Sequence, residues 1–304
     1  SDTEYPDTII ADYEQPAGSF TGEALVVEYE FDTRNWFLGI EHGDFNQGFR
    51  ADSGFVPQVD ASEQEVSVAR DWFGEEDDWW TRVRLRADWE ISHNDAGDVL
   101  EREIDARLVV EAGMQSFTRF RALRRDTLWE GVVYRENKVD FYTQFRPLSG
   151  VELGIWMQYG DQIDFSNNRL GDELRVEPFF DWNINRHLLV KLRSAFVKLD
   201  TKDGEKVFDA NFHDVRLTYQ FSRRSFLRLT TQFRHVDRNP DVYIDEVDAQ
   251  SRQVGRQLLY SYKINPQTVF FLGYSDNYVD DDDLRGLEET DRTWFMKIGY
   301  AWTP

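Results

Sequence analysis

Charged residues recur here at every second position. Arg82, Arg84 and Arg86 do so, as do Arg107, the pair Arg119 and Arg121, and Arg228 and Arg234 further along. Near the start of the chain Glu28 and Glu30 keep the same rule, and Glu41 joins them from the next strand. Residues two apart share one face of a strand, so each stretch offers charge on one side only. Walls of fixed charge along a water-filled passage select ions and orient dipolar solutes. The same spacing also suits plain cross-strand pairing of Arg with Glu, which stiffens a wall and fills its interior. Other chemistries have weaker carriers. The acid runs Asp237 to Asp248 and Asp276 to Asp283 lack spaced oxygen ligands around a central glycine, and Asp200 to Gly204 has the composition of a turn. No metal and no cofactor is predicted. The five histidines are scattered over different strands and loops; His213 beside Asp214 and His235 before Asp237 are the candidates among them, both weak, and no HExxH or GxSxG spacing is present. The expectation is a protein that is not an enzyme, with a hydrolase at the rim of the fold as the remote alternative.

Positioning these residues requires long strands. From Thr81 to Ser92, Val83, Leu85, Ala87, Trp89 and Ile91 share one face and Arg82, Arg84, Arg86, Asp88 and Glu90 the other. The same alternation predicts strands near 23–33, 35–46, 62–73, 79–92, 100–112, 115–125, 137–147, 151–164, 172–184, 187–199, 207–221, 225–236, 252–264, 268–277 and 292–303. Most are about twice the ~5–6 residues of a globular strand, and they match the ~9–11 that a tilted strand needs to cross a bilayer. Short turns near Thr33-Arg34, Gly74 to Asp78, Gly113, Leu148 to Gly150, Asn185-Arg186, Ser222-Arg223 and Asn265-Pro266 alternate with longer loops at 47–61, 93–99, 126–136, 165–171, 200–206, 237–251 and 278–291. Short periplasmic turns and long extracellular loops are the habit of outer-membrane barrels. Trp36, Trp72, Trp79, Trp80, Trp182, Trp294 and Trp302 fall close to strand ends, where interfacial girdles are expected.

Composition agrees. Aromatics make up 15% of the 304 residues, too many for a disordered acidic chain even at a net charge of −22. No apolar run approaches the ~18 residues of a spanning helix, a test that strands with one polar face escape. Cysteine is absent, which removes disulfides and thiolate sites. The acid excess argues against nucleic acid as a partner. The predicted class is all-β: a transmembrane antiparallel up-and-down β-barrel with fifteen to sixteen strands visible, residues 1–22 forming an N-terminal segment and 23–303 the strands of a single domain. Bacterial barrels have even strand numbers. Residues 8–14 are therefore expected to add a short strand, or further strands to precede Ser1.

Two stretches resemble a family of uncharacterised bacterial outer-membrane barrels: Phe49 through Gly54-Phe55-Val56-Pro57 to Asp60, and Leu259 through Tyr260-Ser261-Tyr262-Lys263-Ile264-Asn265-Pro266 to Phe271. The chain departs from that pattern at Gln58, where the family tends to have Arg, and at Ala61-Ser62, where a basic or aromatic pair is usual. The resemblance implies an outer-membrane location, strands upstream of Ser1, and a preceding domain similar to family-9 carbohydrate-binding modules. That domain does not occur within these residues.

Taken together, the residues point to a porin-like channel in the outer membrane of a Gram-negative bacterium, passing small polar solutes along a charged lumen. Glu28, Glu30, Glu41, Arg82, Arg84, Arg86, Arg107, Arg119, Arg121, Arg228 and Arg234 are its expected lining. Loop 47–61, with Phe49, Phe55, Val56 and Pro57, is the candidate constriction, with packing at the rim as its alternative. Membrane lipid and lipopolysaccharide are the expected surroundings, and an upstream domain or a partner chain is expected to complete the barrel. The rival reading is a plugged barrel that anchors a carbohydrate-binding-like domain or a partner protein.

Overall fold

Strand-forming alternation becomes fifteen antiparallel strands in the computed structural model, which describes residues 21–50, 59–265 and 268–300. They are β1 Ala24–Asp32, β2 Trp36–Phe45, β3 Ala61–Phe73, β4 Trp80–His93, β5 Val99–Ala112, β6 Ser116–Trp129, β7 Val132–Leu148, β8 Val151–Asp164, β9 Arg169–Asn183, β10 Leu188–Thr201, β11 Lys206–Ser222, β12 Ser225–Arg238, β13 Gln250–Asn265, β14 Thr268–Asp280 and β15 Glu288–Tyr300. Each strand lies beside its neighbours in sequence, from β1 at one end of the order to β15 at the other. This is the up-and-down antiparallel topology that the alternation predicts. Pro240–Val242 forms one turn of 3₁₀ helix. The expected strand at 8–14 lies outside the described residues, as do Phe55, Val56, Pro57 and Trp302.

The chain forms two compact units. One contains residues up to Trp72 together with Arg84–Arg107 and Leu123–Arg135. The other contains Phe73–Val83, Leu108–Ala122 and the chain from Glu136 onward.

One predicted loop is wrong. Residues 126–136 form a two-residue hairpin, because Glu130 and Gly131 both take positive φ (47° and 75°) and so make the tight turn whose twist suits antiparallel strands. Thr127 to Trp129 and Val132 to Arg135 then simply extend β6 and β7. Loops 165–171 and 200–206 also shrink, since β9 begins at Arg169 and β11 at Lys206. Strict alternation of short and long connections therefore fails at 130–131, and also at 165–168 and 202–205, which are no longer than the short turn 184–187. The long connections between β2 and β3, β12 and β13, and β14 and β15 remain.

The distribution of burial is inverted relative to a water-soluble sheet. Among the described residues, Asp71, Asp88, Asp105, Asp126, Glu136 and Asp276 are buried, whereas Trp294 and Met296 are 71% and 69% exposed. On β8 and β10 the apolar residues of this face keep one parity. On β10 they are the half-buried Leu188 and Val190 and the exposed Leu192 and Phe196, and on β8 the half-buried Val151, Leu153 and Ile155 and the exposed Met157 and Tyr159. Registration carries this parity across strands: Tyr159 faces Leu174, Met157 faces Val176 and Leu153 faces Phe180. From Leu188 to Phe196 the strand rises ~26 Å, or ~20 Å across a bilayer at a ~40° tilt, most of the ~25 Å apolar band of a spanning strand. A continuous apolar face of this size is stable only against lipid or another apolar surface. The sheet's other face carries ion pairs, so the fold class is that of the transmembrane up-and-down β-barrels.

Candidate functional site

The polar face begins, in the first unit, with an acidic corner. Glu28 faces Glu41 across β1 and β2, and Glu41 faces Glu65 across β2 and β3. One step along, Glu30 faces Gly39, which faces Ser67. Glu28, Glu30 and Glu41 have no basic partner among the described residues. They line a shallow depression of about 150 Å³ with Glu65, Ser67 and Arg86.

The arginines of β4 and β5 stand differently. Arg84 donates through Nε and Nη2 to Asp71 at 3.1 and 2.8 Å. Arg86 donates to Asp88 at 2.7 Å and to the Ser67 hydroxyl at 2.8 Å, while that hydroxyl also bonds Asp88. Arg107 grips Asp105 through Nε and Nη2 at 2.7 and 2.5 Å and lies 3.4 Å from Asp88. Charges of alternating sign thus cross β3, β4 and β5. The predicted basic wall is in large part a neutralised one, because each arginine finds an aspartate from the same face.

In the second unit Arg82 approaches Glu111 at 3.6 Å, and Arg119 donates to Asp140 at 2.8 Å with its guanidinium 5.9 Å from the centre of the Tyr142 ring. Arg121 follows Arg119 on the same face of β6. Glu136, fully buried, pairs with Lys138 at 2.8 Å. Arg175 lies 5.3 Å over Trp156 and donates to Glu177 at 2.7 Å. Arg228 lies 5.1 Å over Phe226. Arg234 sits in register with Phe212 and Gln253 and has no side-chain partner among the described residues.

Phe49 of the candidate constriction loop packs against Phe45 at the end of β2, with ring centres 5.6 Å apart. His213 does not meet Asp214. The two lie on opposite faces of β11; Asp214 accepts from Gln232 at 2.8 Å, and His213 Nδ1 is 2.9 Å from the Ser194 hydroxyl on the apolar face. His235 Nε2 is buried without a hydrogen-bond partner, and its strand neighbours are Asn211 and Arg252 rather than an acid.

Rim chemistry on the apolar face was not anticipated. Leu258, Tyr274 and Trp294 form one row across β13, β14 and β15, and the next row in parity is Arg256, Asp276 and Arg292. Arg256 binds Asp276 through two contacts of 2.9 Å, and Tyr274 donates to the same carboxylate at 2.7 Å. In the first unit Arg102 and Arg135 close on Asp126 at 2.5 and 2.7 Å. Lys202, in the turn after β10, bonds both Asp161 and Asp172. Partial burial pulls its ammonium pKa down, but the two carboxylates outweigh this and hold it above the ordinary lysine value. These rows mark where hydrocarbon must end. At the short-turn end Arg70 lies 4.5 Å over Trp36 and 5.6 Å over Trp72, an interfacial arrangement. In hindsight the rim was legible as charges breaking the apolar parity at strand ends. The cross-strand aspartate partners, Asp71 for Arg84 and Asp140 for Arg119, were not, because strand register is invisible in a single strand.

This defines the class: an all-β chain with a lipid-compatible face and an ion-paired polar face. No known family's model matches it, and no curated protein does. Among solved structures, OmpT of Vibrio cholerae, described as outer-membrane expressed, aligns with 90% of this chain and 100% of its own at 8% identity and a TM-score of 0.39. An in-vitro folded OmpT of the same organism gives 11% identity over 93% of this chain and 97% of its own, with a TM-score of 0.39. An anion-selective porin from Comamonas acidovorans gives 8% identity over 91% and 95%, with a TM-score of 0.37. At these values the likeness assigns neither a family nor an activity to this chain.

Proposed function

We propose that the chain is an outer-membrane channel for small polar solutes, with the charged face of the sheet lining the water path. The observation that carries this reading is the pairing of opposite faces. An uncovered apolar face spans about a bilayer's thickness, while the other face holds charged groups that no protein layer covers. Burying unpaired charges such as Glu28, Glu30 and Arg234 against a dry layer would cost several kcal/mol each, by order of magnitude ~3–5, so that face is wetted. Neutralised Arg–Asp ladders would keep the wall rigid, and the unpaired groups would set selectivity.

The test is conductance of the purified, folded protein in planar bilayers. Discrete open-channel steps are expected, with ion selectivity that shifts when Glu28 and Glu41 are changed to Gln. Absence of any stable open channel overturns the reading and leaves the plugged, anchoring barrel in its place. From the family resemblance we further infer a carbohydrate-binding-like domain and additional strands upstream, which mass analysis of the full-length precursor tests.

A further inference from the structure

On the polar face of β11 to β15, residues from two neighbouring rows line an open hollow of about 290 Å³. The first row is Asp214, Gln232, Gly255, Asn277 and Asp291, aligned across all five strands. Its two amides are pinned at the outer ends. Gln232 donates to Asp214 at 2.8 Å, and Asn277 Nδ2 donates to Asp291 at 2.9 and 3.1 Å. With their NH₂ groups committed, both present carbonyl oxygens as acceptors. Between them Gly255 leaves the floor open: a Cβ there would stand 2.9 Å from Asn277 Oδ1. The second row is Phe212, Arg234 and Gln253. Neither Arg234 nor Gln253 has a side-chain partner among the described residues, and both are exposed. The chain also bulges at this place. Thr290 drops out of register between the pairs Asn277–Asp291 and Tyr278–Glu289, and its hydroxyl donates to the Asn277 carbonyl at 3.2 Å. Bulges of this kind re-aim side chains next to functional sites.

These groups have a definite complement. An unpaired guanidinium asks for a carboxylate, which it binds through charge-assisted bonds. Amide acceptors ask for hydroxyl donors, the Gln253 amide can give or accept, and the Phe212 ring offers an apolar surface to a C–H face. The volume lies at the lower edge of small-molecule pockets, which begin near ~300 Å³.

We propose that this hollow is a wall subsite for one hydroxyl-rich carboxylate of the size of a single sugar acid, held by Arg234 through its carboxylate and by Gln232, Gln253 and Asn277 through its hydroxyls. The subsite rests on the channel reading, in which this face is wetted and reachable by solutes. The site concentrates such a solute in the passage and releases it readily, as conduction requires weak binding.

The experiment is calorimetric titration of the full chain, folded in detergent micelles at low ionic strength, with glucuronate and with glucose. Wild type, Arg234→Gln and Gly255→Val are compared after each is shown to unfold as cooperatively as wild type. Glucuronate is expected to bind wild type about tenfold or more tightly than glucose, the scale of one charge-assisted pair. Arg234→Gln is expected to erase that preference, and Gly255→Val, by filling the floor, to weaken both ligands. Should Gly255→Val not fold, the Arg234→Gln arm still decides. Equal glucuronate affinity in wild type and Arg234→Gln overturns the proposal, as does conducting protein that binds no glucuronate. Binding without conductance overturns the channel reading and supports the subsite alone.

Discussion

Leu192 lies at the middle of the apolar run Leu188, Val190, Leu192, Ser194 and Phe196 on β10, and it is uncovered by protein. Three residues away, Ala195 has the opposite parity and faces Phe212 on the polar side. Placing Arg at each position tests the assignment of faces directly. At Leu192 the guanidinium would enter hydrocarbon at the bilayer midplane, where such a substitution costs ~2–4 kcal/mol on a lipid-facing strand position. Each 1.4 kcal/mol is a factor of ten, so the folded population relative to unfolded should fall by about 30- to 800-fold. At Ala195 the same side chain would project into water beside Phe212 and diagonally from Asp214, and a surface-like change within about 0.5 kcal/mol is expected. The assay is reversible urea unfolding in phospholipid vesicles, monitored by tryptophan fluorescence, with Lys198→Arg as a control near the end of the band. A neutral Leu192→Arg together with a destabilising Ala195→Arg would show that the Leu192 face meets water and that the Ala195 face is the covered one. That result would refute the reasoning from burial to membrane.

Three further outcomes follow from named contacts. Arg84→Gln removes two of the bonds made to the buried Asp71 carboxylate; a loss of about 1–3 kcal/mol in urea unfolding is expected, and the double variant with Asp71→Asn should recover most of it. Asp95, in the turn between β4 and β5, has its pKa raised by desolvation and by the neighbouring Asp60 carboxylate. A raised folded-state value means that Asp95 favours the folded turn at low pH and loses that contribution as pH rises through it. Asp60→Asn should lower the value toward the ordinary aspartate range, and an NMR titration that shows no change would remove Asp60 as the cause. Gly131, at φ 75° with no atom near its absent Cβ, should tolerate Asn far better than Val, which would lose about 1 kcal/mol from backbone strain alone and shows as a lower unfolding midpoint.

Much of this molecule is written locally. Strict alternation in stretches such as Thr81 to Ser92 specifies strands, their length and the two unlike faces, because side chains two apart must share a side. Hence the sequence alone determined the all-β up-and-down class, the polar-face placement of Glu28, Arg84, Arg107 and Arg234, and the aromatic strand ends around Trp36 and Trp72. It misjudged residues 126–136, where Glu130-Gly131 alone makes a complete turn. Asp126 and Arg135 are strand residues, on β6 and β7, that pair with each other.

Tertiary structure alone decided which charges cancel and which remain. Register brings Arg84 to Asp71 and Arg119 to Asp140, and leaves Arg234 beside Phe212 and Gln253 with its charge unspent. Register is a relation between strands, set by turn geometry and by the shared boundary of the apolar band, and a one-residue slip would exchange the faces of a whole strand. No single strand contains that information, and so the paired wall, the ionic rim and the hollow around Arg234 appear only when the strands are laid side by side.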